Sequence, residues 1–61
     1  MSTTYTLTAA EAASYDSDDH ERMSKLRRSL RARFGRVAGG EPVSTEVCHP
    51  DGYVVEAYSG A

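Results

Sequence analysis

Cys48 and His49 are adjacent, Cys48 is the only cysteine, and His20 is the only other histidine. A thiol beside an imidazole is what a cysteine nucleophile needs, because the ring takes the proton and leaves the thiolate. The placement argues against that chemistry. Both residues fall in an extended segment, where neighbours point to opposite faces, and His20 opens a helix expected on the face away from Cys48. A metal site would need Cys48, His20, His49 and an aspartate to converge, yet no pair has the C-x2-C or H-x3-H spacing of a zinc site. The carboxylates Asp16, Asp18, Asp19 and Glu21 resemble a calcium loop in composition but lack its central glycine and distal glutamate. They suit the positive end of a helix dipole instead. Gly39-Gly40 has no following lysine and no phosphate-loop frame. The chain therefore reads as a non-enzyme, with no catalytic residue, no metal and no cofactor.

What remains is recognition chemistry. Arg22, Lys25, Arg27, Arg28, Arg31, Arg33 and Arg36 are all seven basic residues of the chain, and no acid occurs from Arg22 to Gly40. Arginine offers a planar fork that engages phosphate or carboxylate through two parallel hydrogen bonds. A solvated helix face ordinarily mixes both signs of charge, so this run is the first candidate binding surface. Its nine acids lie before and after the block and bring the net charge to −2. Dedicated nucleic-acid binders are generally basic as whole domains, so the acidic total weighs against that role. The second candidate surface is an exposed sheet face carrying Glu46, Glu56 and Tyr58 beside Val54, an acidic pair suited to a basic partner.

Both surfaces depend on elements that the sequence predicts. Residues Ser17 to Gly35 form an amphipathic helix, because Met23, Leu26, Leu30, Phe34 and Val37 step by 3, 4, 4 and 3 and fall within roughly 80° of one another. Ser17 is the expected N-cap and Gly35 the expected C-cap. Asp18–Arg22 and Glu21–Lys25 are expected i,i+4 pairs. Upstream, Thr8-Ala9-Ala10-Glu11 fits a capping box and predicts one or two helical turns over Ala9 to Tyr15. Thr3 to Leu7 alternates as a short strand.

Beyond the Gly39-Gly40 reversal, Val43 to His49 and Tyr53 to Tyr58 read as two strands joined by His49-Pro50-Asp51-Gly52. That tetrapeptide has the signature of a type I turn closed by a glycine bulge. It predicts the pairs His49–Tyr53, Val47–Val55, Thr45–Ala57 and Val43–Ser59. Val43, Thr45, Val47, Tyr53, Val55 and Ala57 would then face the core, and Glu46 would face Glu56. The expected fold is α+β over residues 1–61 as one domain. It is a β-α-β-β unit with a three-stranded antiparallel-type sheet of order 1-3-2, and one long helix covers one face. This is half of a ferredoxin-like unit.

A chain of 61 residues buries only about 60% of its unfolded surface, so its core is thin. It has no apolar run long enough for a membrane span, and MSTTYTLTAA lacks the pattern of a signal peptide. A single cysteine fits the reducing cytoplasm. The free sheet edges allow a monomer or a homodimer.

The helix DDHERMSKLRRSLRARFG and the hairpin VSTEVCHPDGYVVEAYS, in a chain of this size with segregated charge, give the protein a class-level likeness. It resembles small phage-encoded inhibitors of the anti-CRISPR type. The resemblance implies an interaction protein, acting in the host cytoplasm, that binds a CRISPR effector or similar nucleoprotein complex. It would do so with acidic residues that mimic nucleic acid or with basic residues that occupy a nucleic-acid channel. No motif carries individual functional residues over. The alternative expectation is a small nucleic-acid-binding or regulatory module that works through the arginine-rich helix.

Overall fold

Each helix begins where a side chain can close its first free N–H groups. A computed structural model describes residues 2–60. In it, α1 (Ala9–Tyr15) opens on the expected capping box. The Glu11 N–H donates to Thr8 Oγ1 at 3.1 Å, and the Thr8 N–H donates back to Glu11 Oε1 at 2.9 Å. The second helix, α2 (His20–Phe34), starts later than Ser17. The Ser17 hydroxyl instead accepts from the Asp19 N–H at 3.0 Å, and the Asp19 carboxylate caps the helix by accepting from the Glu21 N–H at 2.9 Å. A charged cap gains from the helix dipole as well as from its hydrogen bond, so Asp19 takes the position from Ser17. Asp18 is left outside the helix, and neither Asp18–Arg22 nor Glu21–Lys25 comes within ion-pair distance among the described residues.

Gly35 ends α2 at φ 95° and ψ −153°, donating its N–H to Arg31 O at 2.9 Å. The buried stripe therefore stops at Phe34. Val37, expected to continue it, is 37% exposed and bridges Tyr58 as a strand residue.

The strands are β1 (Thr3–Thr6), β2 (Thr45–Cys48) and β3 (Val54–Tyr58), so the element order is β-α-α-β-β with two helices. The sheet is mixed: β1 runs parallel to β2, and β2 runs antiparallel to β3. Its order is 1-2-3, which corrects the expected 1-3-2. The most deeply buried strand takes the centre. Thr45, Val47 and the following His49 are all buried, whereas β3 carries an irregularity suited to an edge.

That irregularity is a β-bulge. The turn forms as expected, with the Gly52 N–H donating to His49 O and the His49 N–H donating to Tyr53 O, both at 2.8 Å. Cys48 then pairs with Val54, but Val47 pairs with Glu56, so Val55 has no partner of its own. Past this extra residue the faces exchange. Glu46 lies across from Ala57, and Thr45 across from Tyr58. The expected pairs Val47–Val55 and Thr45–Ala57 are replaced. Val43 and Tyr53, expected in the core, are exposed, and Tyr58 turns inward with 0% exposure.

Leu7, Ala12, Leu26, Leu30, Val47 and Tyr58 form the core, and Tyr5, Tyr15, Phe34 and Val55 pack against it. Both helices thus contribute to one face of the sheet, and α2 directs its opposite side to solvent. No helix is long and apolar enough to cross a membrane among the described residues.

Candidate anion-binding face

The seven predicted basic residues divide by what holds them. Arg33, near the end of α2, lies over two rings, with its guanidinium carbon 4.5 Å from the Tyr5 centroid and 5.1 Å from that of Phe34. It donates to the Tyr5 hydroxyl at 3.2 Å and stands 3.6 Å from Glu11. Glu11 is consumed there too. Partial burial pushes its carboxyl up, but the Thr8 N–H, the Tyr5 and Thr8 hydroxyls and Arg33 together hold it below the usual value. Arg36, past the helix, donates to Glu41 Oε1 at 3.2 Å. The Glu41 carboxyl is lowered by its own N–H, by Arg36 and by the Gly39 N–H. Arg33 and Arg36 therefore secure the fold.

Arg22, Lys25, Arg27, Arg28 and Arg31 have no such commitment. All five are exposed on α2, and none lies within 4 Å of a carboxylate among the described residues. At about 100° per residue, Arg22 and Lys25 fall toward the α1 side, where they border a groove with Glu11 and Ser14. Arg27 and Arg31 fall on the other side, and Ser24 and Arg28 complete a patch with them.

The second candidate surface does not assemble. Tyr58 is buried in the core, and Glu46 faces Ala57 with Glu56 displaced into the bulged segment. The physical cause is the one extra residue, Val55, which neither hydropathy nor the turn signature reveals. The Tyr58 hydroxyl is buried without a hydrogen-bond partner among the described residues. Burial raises its ionisation above the ordinary value, Glu56 adds to this, and Arg31 and Arg27 oppose it.

Cys48 is a free thiol, half-buried on the far face of the sheet. His49 points inward and is 6% exposed. Its Nε2 lies 3.0 Å from Asp16 Oδ2, and its Nδ1 accepts from the Asp51 N–H at 3.1 Å. Tyr53 stacks on the ring at 4.8 Å and 8°. Both ring nitrogens are thus engaged, Nε2 with Asp16 and Nδ1 with the backbone N–H of Asp51, whose carboxylate stands 3.5 Å from Nδ1. This cluster joins the end of α1 to the hairpin, and local desolvation of the otherwise exposed Tyr53, together with Asp16 and Asp51, raises its phenol. Sequence reasoning missed it, because Asp16 and His49 are 33 residues apart and neither stands in a recognisable motif.

No group of three or more His, Cys, Asp or Glu side chains forms a candidate metal centre among the described residues. Comparison with protein-family models, with curated proteins and with solved structures found no match to this chain.

Proposed function

We propose that this protein is a non-enzymatic interaction module that docks on the nucleic acid of a larger nucleoprotein complex through the exposed face of α2. The supporting observation is the set of five cations on one helix, Arg22, Lys25, Arg27, Arg28 and Arg31, none ion-paired with an acid among the described residues. Of the nine acids, Glu11 and Glu41 are paired with Arg33 and Arg36. Asp16, Asp18 and Asp19 precede α2, Glu21 lies in its first turn, and Glu46, Asp51 and Glu56 belong to the hairpin. Charge segregated in this way orients a molecule toward a polyanion even when the total is negative. Four of the five cations are arginines, which suit phosphate geometrically as well as electrostatically. An inhibitor of a CRISPR effector would need nothing more than such a face, since covering an exposed strand blocks the complex without any bond being made or broken.

The test is fluorescence anisotropy with labelled RNA and DNA between about 50 and 200 mM salt. Three to five phosphate contacts require a slope of log affinity on log salt of about −2 to −4.5. Arg28→Glu with Arg31→Glu is expected to abolish binding while the fold persists. Flat binding across that salt range contradicts the reading.

A further inference from the structure

Among the described residues, α2 borders several surface depressions, and three of them contain a carboxylate. Asp18 and Asp19 sit in the one beside the first turn, Glu21 in the one on the crown, and Glu11 in the groove against α1. A fourth is lined by Ser24, Arg27, Arg28 and Arg31 and contains none, although Arg27 also borders the first and Ser24 and Arg28 the second. These positions are i, i+3, i+4 and i+7, so they make one contiguous patch along about 10 Å of helix axis. Three guanidinium groups gathered there repel one another, and no acid within 4 Å relieves them among the described residues.

The same flank is uncommitted on its inner side. Tyr58 is the core residue whose phenol both Arg27 and Arg31 influence, and its hydroxyl has no hydrogen-bond partner. Neither arginine is therefore tied to the core in the way that Arg33 is tied to Tyr5. Glu56, the acid acting on the same phenol, forms no ion pair with either arginine.

We propose that Ser24, Arg27, Arg28 and Arg31 form the seat for the backbone phosphates of a nucleic-acid strand, while Arg22 and Lys25 on the opposite flank supply only long-range attraction. This inference rests on the reading of α2 as the docking face and adds where contact is made and with what chemistry. Each arginine presents five N–H donors in a fixed fork, and Ser24 adds a neutral donor. A phosphate oxygen pair can accept two parallel bonds from one fork while its charge relieves the repulsion among the three. The α1-side groove is a poorer seat, because only one guanidinium, that of Arg22, lines it beside Lys25.

The experiment separates charge from geometry. Binding of a short labelled RNA at fixed low salt is compared for the native chain, for Arg27→Lys/Arg28→Lys/Arg31→Lys, and for Arg22→Gln/Lys25→Gln. A labelled poly-glutamate peptide serves as a carboxylate control, and circular dichroism verifies each fold. The lysine triple variant keeps every charge but loses the forks, and its expected loss is about tenfold or more. The Arg22/Lys25 variant removes two charges, yet its expected loss is about threefold or less. Glu56→Gln is expected to tighten binding about twofold. The seat is overturned if the lysine triple variant binds RNA as tightly as the native chain. It is equally overturned if the Arg22/Lys25 variant loses as much, or if poly-glutamate binds as well as RNA. A steep salt slope for the native chain in those cases leaves α2 as the docking face and removes only the seat. A flat slope removes both.

Discussion

The Tyr5 hydroxyl donates to the Glu11 carboxylate at 2.6 Å, and that same carboxylate closes the capping box of α1 and faces Arg33 on α2. One side chain thereby joins β1, α1 and α2. Its ionised form is the one these donors stabilise, so its folded pKa lies below the ordinary value of 4.5. Stability from a lowered carboxylate is fully present above the unfolded pKa and is lost as pH falls through the folded one. Glu11→Gln is expected to cost about 1–2 kcal/mol near neutral pH. The gap from the native chain should narrow on acidification below 4.5. Urea midpoints measured along a pH series check this, and a gap that stays constant into strong acid would show that the charge of Glu11 contributes nothing.

That three-element junction also marks where sequence reading stops. The capping box, the stripe Leu26–Leu30–Phe34 and the Pro50-Asp51-Gly52 turn are written in residues a few positions apart, and each appears as expected, whereas Met23 lies at the edge of the stripe outside the core. Strand order and faces depend on contacts more than a dozen residues apart. The single unpaired Val55 reverses the side on which Tyr58 lies. Similarly, the arginine-rich face of α2 was legible from its spacing, but the commitments of Arg33 to Tyr5 and of Glu41 to Arg36 were not. Nothing local distinguishes a free guanidinium from one stacked on the ring of a residue 28 positions away.

Gly35 is closed to any other residue for two separate reasons. Its φ of 95° favours glycine, and a Cβ there would stand 2.5 Å from the Gly60 Cα. The contact is between backbones, so no side-chain rotation relieves it. Gly35→Ala is expected to destabilise by about 1–3 kcal/mol or more. The loss should shrink, but not vanish, in a chain ended at Ser59, where the clash is gone and the backbone strain remains. Equal losses in the two backgrounds, measured by chemical denaturation, would assign the whole effect to φ.

Leu30 and Arg28 lie two positions apart on α2 and are expected to separate stability from binding. Leu30 is in the core, so Leu30→Ala should cost about 2–5 kcal/mol, enough to unfold so small a domain. Arg28 is exposed, so Arg28→Glu should change stability by no more than about 0.5 kcal/mol. Cooperative unfolding of Leu30→Ala with an unchanged midpoint would mean that the stripe is not what holds the helix to the sheet.

Tyr58 carries the most direct test of the packing. Its ring contacts Phe34 at a centroid distance of 6.0 Å and fills the core with 0% exposure, yet its hydroxyl has no partner. A buried hydroxyl without a hydrogen bond is a net cost, while the ring beneath it is a gain. Tyr58→Phe keeps the ring and removes the cost, so stability at neutral pH should rise by up to about 1 kcal/mol. Alkaline behaviour gives an independent sign. Burial and Glu56 raise the folded pKa above the ordinary 10.0, so the neutral phenol is the form the fold tolerates. Stability linked to it is complete below the unfolded pKa and falls as pH rises through the folded one. The phenylalanine variant should therefore lose less stability than the native chain above that range. A lower midpoint for Tyr58→Phe at neutral pH would mean that the hydroxyl is bonded within the core, and the bulge-driven placement of this strand end would need revision.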